Sequence, residues 1–191
     1  MGALSRRLLR ACGWTLRYVP PPSPKSVVIF YPHTSNWDFP LGLLARGATG
    51  LQVSFVGKHT LFRWPLGTLM RRLGGIPIDR GARAGLVEAL TAEFARRESF
   101  HVAIAPEGTR SRSEHWRTGF YQLARAAQVP VGLGFFDYPR REIGIEHWLT
   151  MSGDASADLA RIAACYEGRQ GLNAAQATPI RFREAGVNQD K

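Results

Sequence analysis

From Lys25 onward, short runs rich in β-branched and aromatic residues alternate with stretches of helical periodicity. Such a chain folds as an α/β sheet with helices packed on its faces. The strands are predicted at 27–31, 52–56, 75–78, 101–105 and 131–136, with 142–145 extending the sheet after a turn at Pro139. Between them a helix is predicted over 37–46, with Ser35 or Asn36 as N-cap and Pro40 tolerated in the first turn. Helices are also predicted over 61–73, disturbed by Pro65, over 119–128 and over 155–166. Leu86, Leu90 and Phe94 recur at i, i+4 and i+8 within 82–99 and mark another amphipathic helix, for which core packing is sufficient explanation. Residues beyond 166 read as irregular. With 191 residues, 45% of them hydrophobic, the chain suits one domain with a substantial core and leaves little room for a second. The expected fold is therefore a single α/β domain with a mixed, mostly parallel sheet flanked by helices and preceded by an N-terminal amphipathic helix.

The first nineteen positions form that preceding helix in this reading. A helical wheel places Leu4, Leu8, Leu9, Cys12 and Leu16 within an arc of about 140°, opposite Arg6, Arg7, Arg10 and Arg17. A basic amphipathic helix of this kind either covers the core or lies in a membrane interface, with leucines among acyl chains and guanidinium groups among anionic headgroups. Gly13 weakens it by about 1 kcal/mol relative to alanine. Pro20, Pro21, Pro22 and Pro24 end it in an extended linker. The domain division expected is thus 1–19 surface helix, 20–25 linker and 26–191 globular domain. The arginines interrupt any apolar run long enough to span a bilayer or act as a signal peptide, so a cytoplasmic chain is expected.

Three loops after strands carry the chemically unusual residues. The first is Pro32-His33-Thr34-Ser35-Asn36-Trp37-Asp38. With Asp38 in the first helical turn, its carboxylate can accept a hydrogen bond from one imidazole nitrogen of His33 and leave the other as an acceptor. That is the base-and-orienter half of a catalytic triad. A helix N-terminal carboxylate beside a surface histidine gives the same pattern. The second loop, Gly74 to Gly81, combines backbone freedom with Arg80, whose planar fork suits a phosphate; a turn with a solvated Asp79-Arg80 pair fits as well. The third, Ala105-Pro106-Glu107-Gly108-Thr109-Arg110, joins a carboxylate, a glycine and a guanidinium, which suits a polar substrate and developing negative charge. A capped turn with surface charges also explains it. No serine lies in a GxSxG elbow, which argues for a base acting on a bound alcohol rather than for a covalent nucleophile.

Twenty-five Lys and Arg against fifteen Asp and Glu give a formal charge of +10, so an anionic partner is expected: nucleic acid, phospholipid or a phosphorylated metabolite. Cys12 and Cys165 stand far apart and support neither a disulfide framework nor a zinc site. Trp14, Trp64 and Trp116 near arginines keep a nucleic-acid surface in view, but no recognised nucleic-acid motif occurs.

In order, these loops resemble the motif set of the glycerolipid acyltransferases, the 1-acylglycerol-3-phosphate (lysophosphatidic acid) acyltransferase family. His33 and Asp38 match its HxxxxD block, Gly75 to Arg80 its second, Glu107-Gly108-Thr109-Arg110 its EGTR block and Val129-Pro130-Val131 its fourth. The departures are Pro32, Pro77, Ala105 and Arg117, where many members carry other residues. The resemblance implies acyl transfer from acyl-CoA or acyl carrier protein to a free hydroxyl of a lysophospholipid or glycerol phosphate. His33 would be the base and Asp38 its orienter. Lys58, Arg80, Glu107, Gly108, Thr109 and Arg110 would bind substrate, the arginines at the acceptor phosphate, with backbone N–H groups near Gly108 holding the oxyanion. No metal and no cofactor beyond the acyl donor are expected. The partners expected are the acceptor lipid, the donor and a membrane surface, with no nucleic acid, which places the chain peripherally on the inner face of the membrane. A thioesterase using the same pair on water is the closest enzymatic alternative.

Overall fold

The computed structural model describes residues 2–78 and 85–183, with Lys58 and Ile78 described in backbone only. In chain order the elements are α1 (Gly2–Ala11), β1 (Thr15–Tyr18), β2 (Lys25–Tyr31), α2 (Asp38–Thr49), β3 (Val53–Lys58), a 3-10 turn (His59–Phe62), α3 (Gly67–Arg72) and β4 (Gly75–Ile78). There follow α4 (Leu86–Arg96), β5 (Phe100–Ile104), α5 (Gly119–Ala126), β6 (Val131–Asp137), β7 (Glu142–Leu149), α6 (Ala155–Cys165) and a 3-10 turn (Ala174–Gln176). Among the described residues one sheet of seven strands runs in the order β1-β7-β6-β2-β5-β3-β4. Only the β6–β7 pair is antiparallel; every other neighbouring pair is parallel.

Strand alternation divides the core between the two faces of the sheet. Val27, Ile29, Val131, Leu133 and Phe135 point into a cluster with Leu90, Phe94, Phe120, Leu123 and Ile162 from α4, α5 and α6. Phe30, Phe136 and Ile143 point the other way, toward Leu9, Leu41, Leu44, Ala45 and Ala48 of α1 and α2. The predicted single α/β domain with a mixed, mostly parallel sheet is therefore the observed one.

The N-terminal segment departs from its prediction. The helix ends at Ala11, and Gly13, at φ +76°, turns the chain. Trp14 drops into the core with its ring edge-on to Tyr138 at 5.0 Å. Residues 15–18 are then an edge strand, registered from Thr15 opposite Glu142 to Tyr18 opposite Ile145. Positions 1–19 are thus half helix, half sheet, and Leu16 belongs to a strand. The wheel also fails as a two-sided division: Leu9 is buried on α2 and Arg6 Nε donates to the Ala48 carbonyl at 2.9 Å, while Leu4 and Leu8 are exposed. The gain from burying Trp14 and pairing a Thr-Leu-Arg-Tyr strand outweighs helix continuation through a glycine. Pro65 likewise divides the predicted 61–73 helix into the 3-10 turn and α3. No helix among the described residues is long and apolar enough to cross a membrane.

Candidate active site

Because β2, β3 and β5 are mutually parallel, the loops that follow them leave the same edge of the sheet, the place where open α/β sheets build their ligand sites. The loop after β2 holds the sharpest geometry. His33 Nδ1 lies 3.0 Å from Asp38 Oδ2, and the same oxygen accepts the backbone N–H groups of Thr34 and Ser35, each at 3.0 Å. Asp38 Oδ1 accepts the Tyr138 hydroxyl at 2.6 Å. The Asp38 residue is 1% exposed and opens α2, where the helix N-terminus and four hydrogen-bond donors face its carboxylate. A carboxylate only accepts, which assigns the His33 proton to Nδ1 and leaves the Nε2 lone pair as the free base. The His33 side chain is 22% exposed. Neither Ser35 nor Asn36 caps α2 as expected; Trp37 occupies the cap position without a side-chain bond, and Ser35 Oγ accepts the Trp37 N–H at 3.1 Å. Asp38 folds back and ties down the turn before the helix, at Thr34 and Ser35, without capping the helix itself. The Tyr138 hydroxyl, absent from the sequence-derived site, is held far above its ordinary pKa by burial and by its bond to Asp38.

Glu107 turns inward rather than toward an acceptor. It is buried, its Oε2 accepts the His33 N–H at 2.6 Å and its Oε1 accepts the Thr178 N–H at 2.9 Å. Burial pushes its carboxyl up, and the two N–H groups partly offset this. Gly108 has φ +67°, and a Cβ there would run into the Arg117 side chain, so glycine is required by both backbone and space. Its N–H is bonded to the Ala105 carbonyl at 3.0 Å, which removes it from the oxyanion role expected of it. Thr109 Oγ1 accepts the Ser111 N–H at 3.3 Å, and Arg110 is exposed on the same loop. Lys58 ends β3 at this sheet edge; Arg80 lies outside the described residues.

A segment that sequence periodicity leaves irregular holds these loops together. Asn173 Nδ2 donates to the Thr34 carbonyl at 2.9 Å and the Asn173 N–H to Thr34 Oγ1 at 3.2 Å. With its amide nitrogen donating, Gln176 reaches the carbonyls of Arg110 at 2.9 Å and Thr34 at 3.2 Å. Thr178 binds Glu107 and Ser113.

Beside His33 and Asp38, a cavity of about 180 Å³ runs between α2 and the sheet. Phe30, Leu43, Phe55 and Phe136 line it, together with Leu16 and Tyr18 of β1. Room exists because α2 offers small residues at Gly42, Ala45 and Thr49 against Ala103, Ala105 and Gly144 of the sheet side. The site therefore joins a base to an apolar slot. Among the described residues no three His, Cys, Asp or Glu side chains converge as a metal site. Trp14 and Trp116 are buried and cannot stack on bases; Trp64 is exposed.

A family model described as Acyltransferase matches residues 16–132. No curated protein sequence matches the chain. Among solved structures, the 1-acyl-sn-glycerophosphate (LPA) acyltransferase PlsC from Thermotoga maritima superposes with a TM-score of 0.59 at 17% identity, over 86% of this chain and 74% of that one.

Proposed function

Because the chain belongs to the acyltransferase family, we propose that it moves a fatty acyl group from acyl-CoA or acyl carrier protein to the free hydroxyl of a lysophospholipid, with 1-acylglycerol-3-phosphate as acceptor. The observation that carries this reading is the His33–Asp38 pair, 3.0 Å apart, in the wall of an apolar cavity of about 180 Å³. That cavity exceeds the ~150 Å³ of an apolar void known to take up benzene.

In this mechanism Nε2 of His33 removes the proton from the acceptor hydroxyl. The alkoxide oxygen attacks the thioester carbonyl, and the tetrahedral intermediate expels thiolate, which takes the proton back from the imidazolium. Asp38 stabilises that imidazolium and fixes the ring. Arg80 and Arg110, with Lys58, bind the acceptor phosphate. Glu107 is a positioning residue that sets the His33 backbone through its N–H. The Gly108 N–H, engaged by Ala105, is not the donor for the oxyanion. No metal or further cofactor enters, and the enzyme works peripherally on the inner membrane face, where its lipids lie.

Purified protein incubated with acyl-CoA, with and without lysophosphatidate, tests the proposal by thiol release and lipid mass spectrometry. Thiol released only with acceptor, and a diacyl product, support it. His33→Ala and Asp38→Ala should each lower transfer by about a hundred- to ten-thousandfold without loss of fold. Thiol release independent of acceptor would make the enzyme a hydrolase, and full turnover by either variant would remove His33 as base.

A further inference from the structure

The excursion between β3 and β4 is built to keep apolar side chains in water. Leu61, Trp64, Leu66 and Leu69 are all exposed, Trp64 at 93% of its surface. This is not an unanchored segment. Phe62 is buried beneath it, and glycines stand where a Cβ would press on Phe62, at Gly57, Gly67 and Gly75. Arg71 lies over the Phe62 ring with its guanidinium carbon 5.5 Å from the centroid. The Gly67 N–H donates to the Arg63 carbonyl at 2.8 Å, closing the turn. Four large apolar side chains left exposed within nine residues, over a buried anchor, mark a contact with something apolar.

Charge identifies the occupant. Between Asp38 and Asp79 the sequence holds Arg46, Lys58, Arg63, Arg71 and Arg72 and no Asp or Glu. Arg63, Arg71 and Arg72 are exposed beside the leucines and Trp64. Exposed apolar and aromatic side chains interspersed along the chain with exposed arginines, with no Asp or Glu between Asp38 and Asp79, match the boundary of an anionic bilayer, where indole sits at headgroup depth and guanidinium groups pair with phosphates.

Topology then fixes the direction. The excursion follows β3, and β3 is parallel to β5, which is parallel to β2, so it leaves the sheet at the edge that carries His33. Trp37, 67% exposed at the start of α2, stands at that same edge. Phe39 of α2 packs edge-on against Phe55 of β3 at 5.0 Å and ties the two regions together. α1 has another placement: its N-terminal residues Gly2 and Ser5 lie against Gly47 and Ala48, at the far end of α2.

We propose that the Leu61–Arg72 excursion is a bilayer-docking element for anionic membranes, seating the sheet edge that carries His33 against the lipid surface so that the acceptor enters from the membrane. The proposal rests on the acyltransferase reading for its purpose, but docking is measured separately from chemistry. α1 is then an auxiliary contact at most.

The test uses the full chain, its Trp64→Glu/Leu66→Glu double variant and its Leu4→Glu/Leu8→Glu double variant, each checked for an unchanged thermal midpoint. Both substituted pairs are exposed, so the fold should survive. Sedimentation is measured with vesicles of phosphatidylcholine alone and of phosphatidylcholine with phosphatidylglycerol. The parent should bind the anionic vesicles and the Trp64/Leu66 variant should partition about tenfold less or weaker still, with the Leu4/Leu8 variant close to the parent. Turnover of a short-chain lysophosphatidate dissolved as monomer should be the same in all three proteins. Parental vesicle binding by the Trp64/Leu66 variant overturns the proposal. So does failure of the parent to bind anionic vesicles, including the outcome in which it forms a dimer that the Trp64/Leu66 variant does not. Absence of turnover in the parent, with docking intact, would instead overturn the acyltransferase reading and leave the docking element standing.

Discussion

Tyr138→Phe isolates one hydrogen bond of the site. The phenyl ring keeps its edge-on contact with Trp14, and only the hydroxyl that donates to Asp38 Oδ1 at 2.6 Å is lost. A hydrogen bond to a charged group contributes about 1.5–3 kcal/mol, and Asp38 is too deeply buried for water to replace the donor. Taking about 2 kcal/mol, and about 2–4 °C per kcal/mol for a domain of this size, the thermal midpoint should fall by about 4–8 °C. Turnover should fall less steeply. Oδ2 retains His33, Thr34 and Ser35, so the imidazole keeps its orienter and the loss should stay within about tenfold. Removing the orienting charge itself by Asp38→Asn should cost about ten-thousandfold, as it does in triads. Differential scanning calorimetry and initial rates with saturating donor give both quantities. A Tyr138→Phe protein that melts with the parent refutes the assigned contribution, and one as inactive as Asp38→Asn refutes the division of labour between the two oxygens.

Two more perturbations test separate parts of the structure. At Gly42 a Cβ would meet only the Phe136 ring, at 3.9 Å, so Gly42→Phe should fold and fill part of the cavity; rates across acyl donors should then shift to shorter chains, and an unchanged length profile would place the acyl chain elsewhere. Burial alone would raise the Asp158 carboxyl, but bonds from the Tyr121 hydroxyl and the Ser152 and Gly153 N–H groups outweigh it and hold the net value below the ordinary one. Its contribution to stability is therefore present above the unfolded value of about 3.9 and is lost as pH falls through the lower folded value. Asp158→Asn should be destabilised at neutral pH by about 1.5–3 kcal/mol, with the deficit shrinking below about pH 4 in denaturant titrations; a pH-independent deficit would contradict this.

Sequence periodicity located most elements from β2 to α6, the 61–73 stretch split at Pro65 apart, where a regular apolar pattern is packed into the core, as Leu86, Leu90 and Phe94 are in α4. It failed where tertiary partners decide. A wheel over the first residues cannot register that Trp14 has a pocket beside Tyr138 or that β7 offers an unpaired edge to Thr15–Tyr18. His33 and Asp38 were ambiguous from spacing alone and became legible through the ordered set of blocks that resembles the acyltransferase family; the structure places the pair 3.0 Å apart. The direction of Glu107 was not, because an EGTR carboxylate facing solvent and one facing a backbone N–H are spelled alike. Tyr138, Asn173 and Thr178 reach the site from distant parts of the chain and carry no local signature. The cavity did have one: Gly42, Ala45 and Thr49, small residues at i, i+3 and i+7, line α2 where a packed helix would present bulk.

The clasp formed by Asn173, Gln176 and Thr178 bears on how the enzyme is born. The amide that secures the His33 loop at Thr34 is encoded 139 positions after it. Synthesis proceeds from the N-terminus, so a growing polypeptide exposes its base long before the groups that steady it. The loop that carries His33 is therefore clasped only once residues 173–178 have been made and have folded back onto it.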